Sequence, residues 1–302
     1  MVTRIAEFEK MLAGKTDRKK LVLAVAQDSY ALEAVSKAAA KGFIDPVLVG
    51  NKLLIQQLAI EGEISLEGYT IINEPDNIKA VETAVRLVHE GSADVLMKGA
   101  CNTAQLLKGV LNRDWGLRKG DLLSHFALFE IPAYHKLLGI TDVAINIAPT
   151  LEDKISIINN AVDFFGRLDI MPCPKVAVIA AVETVNEQMP ATVEAAKLVL
   201  MNRENRIRNC MVEGPLAFDT AISKESALHK HIVSDVAGDA DLLIMPDIEA
   251  GNALYKALVY FANSKVASVV LGACAPIVLT SRSDPEQAKL NSILLAAAVK
   301  VL

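Results

Sequence analysis

The strongest constraint on this 302-residue chain is a regular exchange between short apolar runs and longer amphipathic segments. Strand-like runs at Leu21–Ala26, Pro46–Val49, Tyr69–Ile72 and Asp94–Met97 precede helix-like segments at Ala31–Lys41, Lys52–Ile60, Asn77–Glu90 and Thr103–Leu111. Repeated β-α units predict a largely parallel sheet with helices on both faces. Further strands are expected at Ser124–Glu130, Asp142–Ile147, Val176–Ala181, Cys210–Glu213, Leu242–Met245 and within Val266–Thr280. Helices are expected at Leu151–Leu168, Pro190–Met201, Phe218–Val236, Asn252–Ala262 and Pro285–Val299. Hydrophobic residues make up 52% of the chain but aromatics only 5%. Small and branched aliphatics must therefore fill the core, as in a buried parallel sheet. The length allows one large or two ordinary domains, and no repeat or Ser/Gly linker marks a boundary.

Charge and cysteine usage exclude several classes. The formal net charge is −5 with no block of like charges, which argues against a nucleic-acid partner. No apolar run is long enough to span a bilayer, and Met1 to Lys20 lacks the apolar core of a signal segment. Cys101, Cys173, Cys210 and Cys274 form no Cys-x-x-Cys pair, so reduced thiols in a cytoplasmic protein fit best. His229 and His231 diverge on a helix and have no third ligand near them in sequence, so no metal site is expected. Gly14-Lys15-Thr16 is not a phosphate loop, because Glu9 stands where the first glycine is needed. No Gly-x-Gly-x-x-Gly dinucleotide fingerprint occurs.

Three segments carry chemistry. In the first, an apolar run ends in Thr280-Ser281-Arg282-Ser283, and Asp284, Pro285 and Gln287 fit the N-cap, N1 and N3 positions of a helix. Hydroxyls, a guanidinium and a helix N-terminus together favour a phosphate-like anion. An ordinary strand-to-helix turn with a solvated arginine fits the same residues. The second is Met97-Lys98-Gly99 with Asn102-Thr103, where a strand ends in a lysine and a helix begins. Ligands of open α/β sheets sit beyond such strand ends. Lys108 lies on the polar side of that helix. A capped helix with a surface lysine is the plain alternative. The third is Pro246-Asp247-Ile248-Glu249-Ala250-Gly251-Asn252, whose two carboxylates suit acid-base work or a metal, with a helix cap or loop organiser at Asp247 as the plain alternative.

Taken in order, these motifs resemble the phosphate acetyltransferase and phosphate butyryltransferase family, most closely its butyryltransferase branch. The matching residues are Met97-Lys98-Gly99 with Thr103, Gly116-Leu117-Arg118, Leu123-Ser124-His125 and Glu213-Gly214-Pro215-Leu216-Ala217-Phe218-Asp219. Val236-Ala237-Gly238-Asp239-Ala240-Asp241, Pro246 to Asn252 with Tyr255-Lys256, and Pro276 with Leu279-Thr280-Ser281-Arg282-Ser283 complete the set. The resemblance implies two three-layer α/β/α domains with mostly parallel sheets, like isocitrate and isopropylmalate dehydrogenases, and an active site in the cleft between them. Residues 1–125 plus 271–302 would form one domain and 126–270 the inserted other.

The activity implied is interconversion of a short-chain acyl-CoA, butyryl or branched, and phosphate with acyl phosphate and CoA. Ser281 and Arg282 would be catalytic, the arginine holding phosphate and the serine orienting reacting groups or stabilising the transition state. Lys98, Gly99, Thr103, Lys108, Ser124, Asp247, Gly251, Asn252 and Ser283 would bind substrate. Lys108 falls where the acetyl branch carries arginine, a match in charge only. The resemblance further implies a homodimer, CoA as substrate rather than tightly bound cofactor, and no metal. One departure stands out: the acetyl-specific aspartate seven residues after the serine is Ala288 here. Asp284, Glu286, Asp247 and His125 remain as acid-base candidates. Two other readings stay open at this point, a non-catalytic binder of acyl-CoA or acyl phosphate and an NAD-dependent decarboxylating dehydrogenase of similar fold.

Overall fold

A computed structural model describes residues 2–14, 16–120, 122–280 and 284–300. In chain order the elements are α1 (Glu7–Leu12), β1 (Lys19–Ala24), α2 (Ser29–Ala40), β2 (Ile44–Gly50), α3 (Lys52–Glu61), β3 (Thr70–Asn73), α4 (Asn77–His89), β4 (Val95–Lys98) and α5 (Thr103–Val110). They continue with β5 (Ser124–Glu130), β6 (Leu137–Thr141), α6 (Leu151–Leu168), β7 (Lys175–Ile179), α7 (Pro190–Arg203), β8 (Met211–Leu216), α8 (Phe218–Ile222), α9 (Lys224–His229) and β9 (Leu242–Ile244). The remainder is α10 (Ile248–Tyr260), β10 (Lys265–Leu271), β11 (Ile277–Val278) and α11 (Glu286–Ala298). The chain divides into two compact units, 6–121 with 267–299, and 1–5 with 122–266 and 300–302.

The unit holding β1 has the strand order β3-β2-β1-β4-β11-β10. All its pairs are parallel except β10 with β11. Its strands are apolar on both faces: Leu21, Val22, Leu23 and Ala24 are all fully buried. Side chains at successive strand positions point to opposite faces, so both faces must be covered by helices. From β1 the chain winds outward through β2 to β3, then returns through α4 to β4 on the other side of β1. With right-handed crossovers, α2 and α4 therefore lie on opposite faces. The exits of β1 and β4 form a topological switch point, where open α/β sheets take ligands.

The other unit has the order β5-β6-β9-β7-β8, with β5 antiparallel and the rest parallel. Its switch point lies between β7 and β9, because β7 leads outward to β8 and the chain then recrosses to β9. Aromatic packing holds the face under α6: Phe126 lies 5.3 Å from Phe164 and 5.4 Å from Phe165, ring centre to ring centre.

Three expected elements differ from those observed. Asp142–Ile147 is a turn, and the strand is Leu137–Thr141 instead. The Asp142 carboxylate collects the amides of Ala144 and Ile145 at 2.8 and 3.0 Å, which curls the chain out of extended conformation. The single helix expected at Phe218–Val236 is two, because Ser223 adopts extended geometry and caps Ser226 of the second helix. The last helix begins at Glu286 with Pro285 as N-cap, and no side chain caps it. Pro285 has ψ 148, outside the helical range, so Asp284 stands one residue too early, and Gln287 bonds forward to Asn291.

The amino-terminal edge of the second sheet is held by charge. Asp239 receives Lys175 at 2.6 Å, Lys136 at 3.0 Å and His135 at 2.8 Å. Burial pushes the Asp239 carboxyl up, but hydrogen bonds from Lys175, Lys136 and His135 outweigh it and hold the group well below the usual carboxylate range. Its contribution to stability is therefore present above the unfolded carboxyl value of about 3.9 and is lost as pH falls below it. Asp239→Asn should cost about 2 kcal/mol at pH 7, and the gap from the parent should narrow at pH 3. Urea unfolding at the two pH values measures both.

Candidate active site

At the first switch point the backbone sets the geometry. The amides of Gly99 and Ala100 donate to the carbonyls of Ala24 and Val25 at 2.9 and 2.8 Å, beyond the last strand pair. This draws the exits of β1 and β4 together so closely that a Cβ at Gly99 would stand 2.3 Å from the Val25 oxygen. Only glycine fits. Val25 itself lies in the left-handed region at φ 57, a conformation that strains a β-branched residue by on the order of 1–3 kcal/mol.

Lys98 ends β4 and is buried, with its ammonium donating to the carbonyls of Gly99 and Cys101, each at 3.2 Å. A lysine ammonium has three donors, so one N–H remains beyond these two carbonyl bonds. Asn102 caps α5 by accepting from the Gln105 amide at 2.7 Å, and Thr103 opens the helix. A cation and a helix N-terminus thus stand side by side, an arrangement that favours an anion. Cys101 is also buried here. Burial pushes its thiol above the ordinary value and the nearby Lys98 charge only partly offsets this, so it is a poor nucleophile.

Lys108 lies at the other end of the same helix. It lies in the last turn of α5 and lines a groove of 480 Å³ with Ile78, Gln105, Gly109 and Trp115. Lys98 is not among the residues lining that groove. Asn102, the α5 cap, does line it, so the groove reaches the helix start beside Lys98. Helices α4 and α5 meet at Gly109, where a Cβ would stand 2.9 Å from Val81. Arg86 lies over the Trp115 ring at 5.1 Å, which fixes the indole at the end of the groove.

The second unit gathers its site residues around Asp142, just beyond β6. This buried carboxylate accepts from the His125 amide at 3.2 Å and from the Asn146 side chain at 2.6 Å, besides the turn amides. Gly251 packs against it: a Cβ there would stand 2.4 Å from the Asp142 carbonyl oxygen. Asn252 donates to the Val143 carbonyl at 3.1 Å. Asp247 is the N-cap of α10 and accepts from Ala250 at 2.8 Å. Of its readings from sequence, the helix cap is the one this bond makes. Ser124 starts β5, fully buried, and its hydroxyl accepts from Asn160 at 3.2 Å. His125 is buried edge-on to Tyr255, with ring centres 6.4 Å apart.

Ser281, Arg282 and Ser283 lie outside the described residues. Among the acid-base candidates, Glu286 pairs with Lys37 at the surface. Ala288 is buried in the first turn of α11, and its carbonyl accepts from Ser292 at 2.7 Å. Among the described residues, no three His, Cys, Asp or Glu side chains are grouped to hold a metal. Asp142 and Asn160 were not singled out from sequence. The Asx-type turn after an apolar run is the signal that could have revealed Asp142.

Comparison with known proteins follows these features closely. The family model described as phosphate acetyl/butaryl transferase matches residues 4–86 and 76–297. A phosphate butyryltransferase of Clostridium acetobutylicum is 46% identical over 283 residues, covering 94% of each chain. A phosphate acetyltransferase of Thermotoga maritima is 43% identical over 293 residues, covering 97% of this chain and 98% of its own. The crystal structure of a branched-chain phosphotransacylase from Enterococcus faecalis V583 superposes with a TM-score of 0.82 at 33% identity, over 93% of this chain and 98% of that one. The family match over nearly the whole chain and the whole-length sequence similarity show that this chain belongs to the phosphate acetyl/butaryl transferase family.

Proposed function

We propose that this protein is a phosphate acyltransferase that interconverts a short-chain acyl-CoA and phosphate with acyl phosphate and CoA. The observation that carries the reading is the buried Lys98 ammonium beside the α5 N-terminus, in a chain of this family. Both reactants are anionic, so a fixed cation and free helix amides suit them. A butyryl or branched acyl group is the preferred substrate on this reading. Relatives named for butyryl, branched-chain and acetyl transfer stand behind it.

In the acyl-phosphate direction, a phosphate oxygen attacks the thioester carbonyl, the carbonyl oxygen takes up the negative charge, and the C–S bond then breaks. Arg282 is read as the group that holds phosphate and Ser281 as the donor that steadies the oxyanion. Lys98, Gly99, Thr103, Ser124, Asp247, Gly251, Asn252 and Ser283 complete the binding surface, and Lys108 takes an anionic part of CoA. Thiols ionise near pH 8.5, roughly, so the departing thiolate needs little proton assistance. That removes the need for a carboxylate at Ala288. Positioning and oxyanion stabilisation supply most of the acceleration. The chain is further read as a cytoplasmic homodimer, with domains at 1–125 plus 271–302 and at 126–270.

Phosphate-dependent release of CoA across a panel of acyl-CoAs tests the whole reading, with butyryl- and isobutyryl-CoA expected to lead acetyl-CoA. Release that ignores phosphate would overturn it. Ser281→Ala should lower turnover by on the order of 10²–10³-fold with little change in CoA affinity. Arg282→Ala should raise the KM for phosphate and lower turnover, with the circular dichroism spectrum unchanged. Lys98→Met should lower kcat/KM for phosphate about 100-fold, whereas Lys108→Ala should raise the KM for CoA about tenfold and spare kcat.

A further inference from the structure

The strongest feature outside the site is a basic depression on the unit that carries β5 to β9. It has a volume of 630 Å³ and is lined by Arg167, Arg206, Arg208 and Lys300, with Asn159 and Asp163. It lies at the amino-terminal edge of the sheet, where α6 ends and the loops enter β7 and β8. Ser124, Asp247, Gly251 and Asn252 lie at the opposite edge, beside the exits of β6 and β9. The 18 residues of α6 span the distance between the edges, about 27 Å.

The arginines are held in place by the backbone around them. Ile207 is fully buried between Arg206 and Arg208, so the alternation turns both guanidinium groups outward. Asn205 and Asn209 bracket this tripeptide in left-handed conformation, at φ 59 and 60. Asn202 clamps it by donating to the carbonyls of Ile207 and Cys210, each at 3.0 Å, while accepting the Val212 amide at 3.1 Å. Arg167 donates through Nε to the Lys300 carbonyl at 3.2 Å, and Arg208 through Nε to the Asn205 carbonyl at 2.8 Å. Neither bond uses the terminal nitrogens. Among the described residues, no carboxylate pairs with any of the three arginines, and Lys300 is neutralised by Asp169 at 2.8 Å.

A chain of net charge −5 has thus concentrated three arginines and a lysine on one preformed concavity, against the single lining carboxylate of Asp163. Like charges repel, so a bound counter-anion would stabilise the arrangement. Planar guanidinium forks match phosphate oxygens in pairs, and the volume falls in the range of small-molecule sites. We propose that this depression is a second anion site, separate from the catalytic edge, which binds a small molecule carrying more than one phosphate group.

Isothermal titration of the full chain with inorganic pyrophosphate, at about 0.15 M salt and with CoA saturating, tests it. Saturable binding is expected, weakened about tenfold or more in the Arg206→Gln/Arg208→Gln double variant, the equivalent of losing a charge-assisted hydrogen bond. Arg167→Gln should show the same loss through an independent element. Turnover and the KM for phosphate should match the parent in both. Absence of saturable binding, or pyrophosphate binding that is the same in parent and variants, overturns the proposal. So does tight binding of a single-stranded oligonucleotide with none of pyrophosphate.

Discussion

The close approach of two backbones at Gly99 governs the first unit. Two amides of the β4 exit bond to two carbonyls of the β1 exit, and no side chain fits between them. Everything placed beyond that junction inherits its rigidity. Lys98 cannot swing away, because the carbonyls it binds belong to the same turn. Helix α5 starts where Asn102 caps it, four residues after the lysine. A strained Val25 is tolerated here because its carbonyl is one of the acceptors. Preorganised charge of this kind requires no rearrangement when an anion arrives.

The second unit reaches a comparable rigidity through a different device. A single buried carboxylate, Asp142, collects amides from its own turn and from His125. It is an organiser of backbone rather than a reacting group. Gly251 and Asn252 then lock the start of α10 onto the same turn. Residues that sequence motifs present as binding groups are in this unit largely engaged with backbone. These bonds hold the shape of the edge on which the proposed binding surface is built.

Most of the architecture was legible because strands and helices differ in apolar period and in length. Leu151–Leu168 and Ser124–Glu130 were read to the residue. The failures fall where side chains bond to local backbone, at Asp142, Ser223 and Pro285, since such bonds override apolar pattern. The lysine at a strand end was legible as a site because strand exits are where α/β ligands bind. The groove that Lys108 lines was not, because it depends on how α4 packs on α5 at Gly109, which no linear spacing encodes. The Arg-Ile-Arg alternation went unread for a similar reason, since its meaning rests on loop conformation and on a neighbouring helix end.

The discontinuity of the first unit bears on how the chain is made. Strand β11 sits inside that sheet, between β4 and β10, yet residues 122–266 are synthesised before it. The nascent chain therefore leaves the ribosome with β4 as an open apolar edge, while the later-encoded unit can already complete its own sheet. The portion translated first is the last to close.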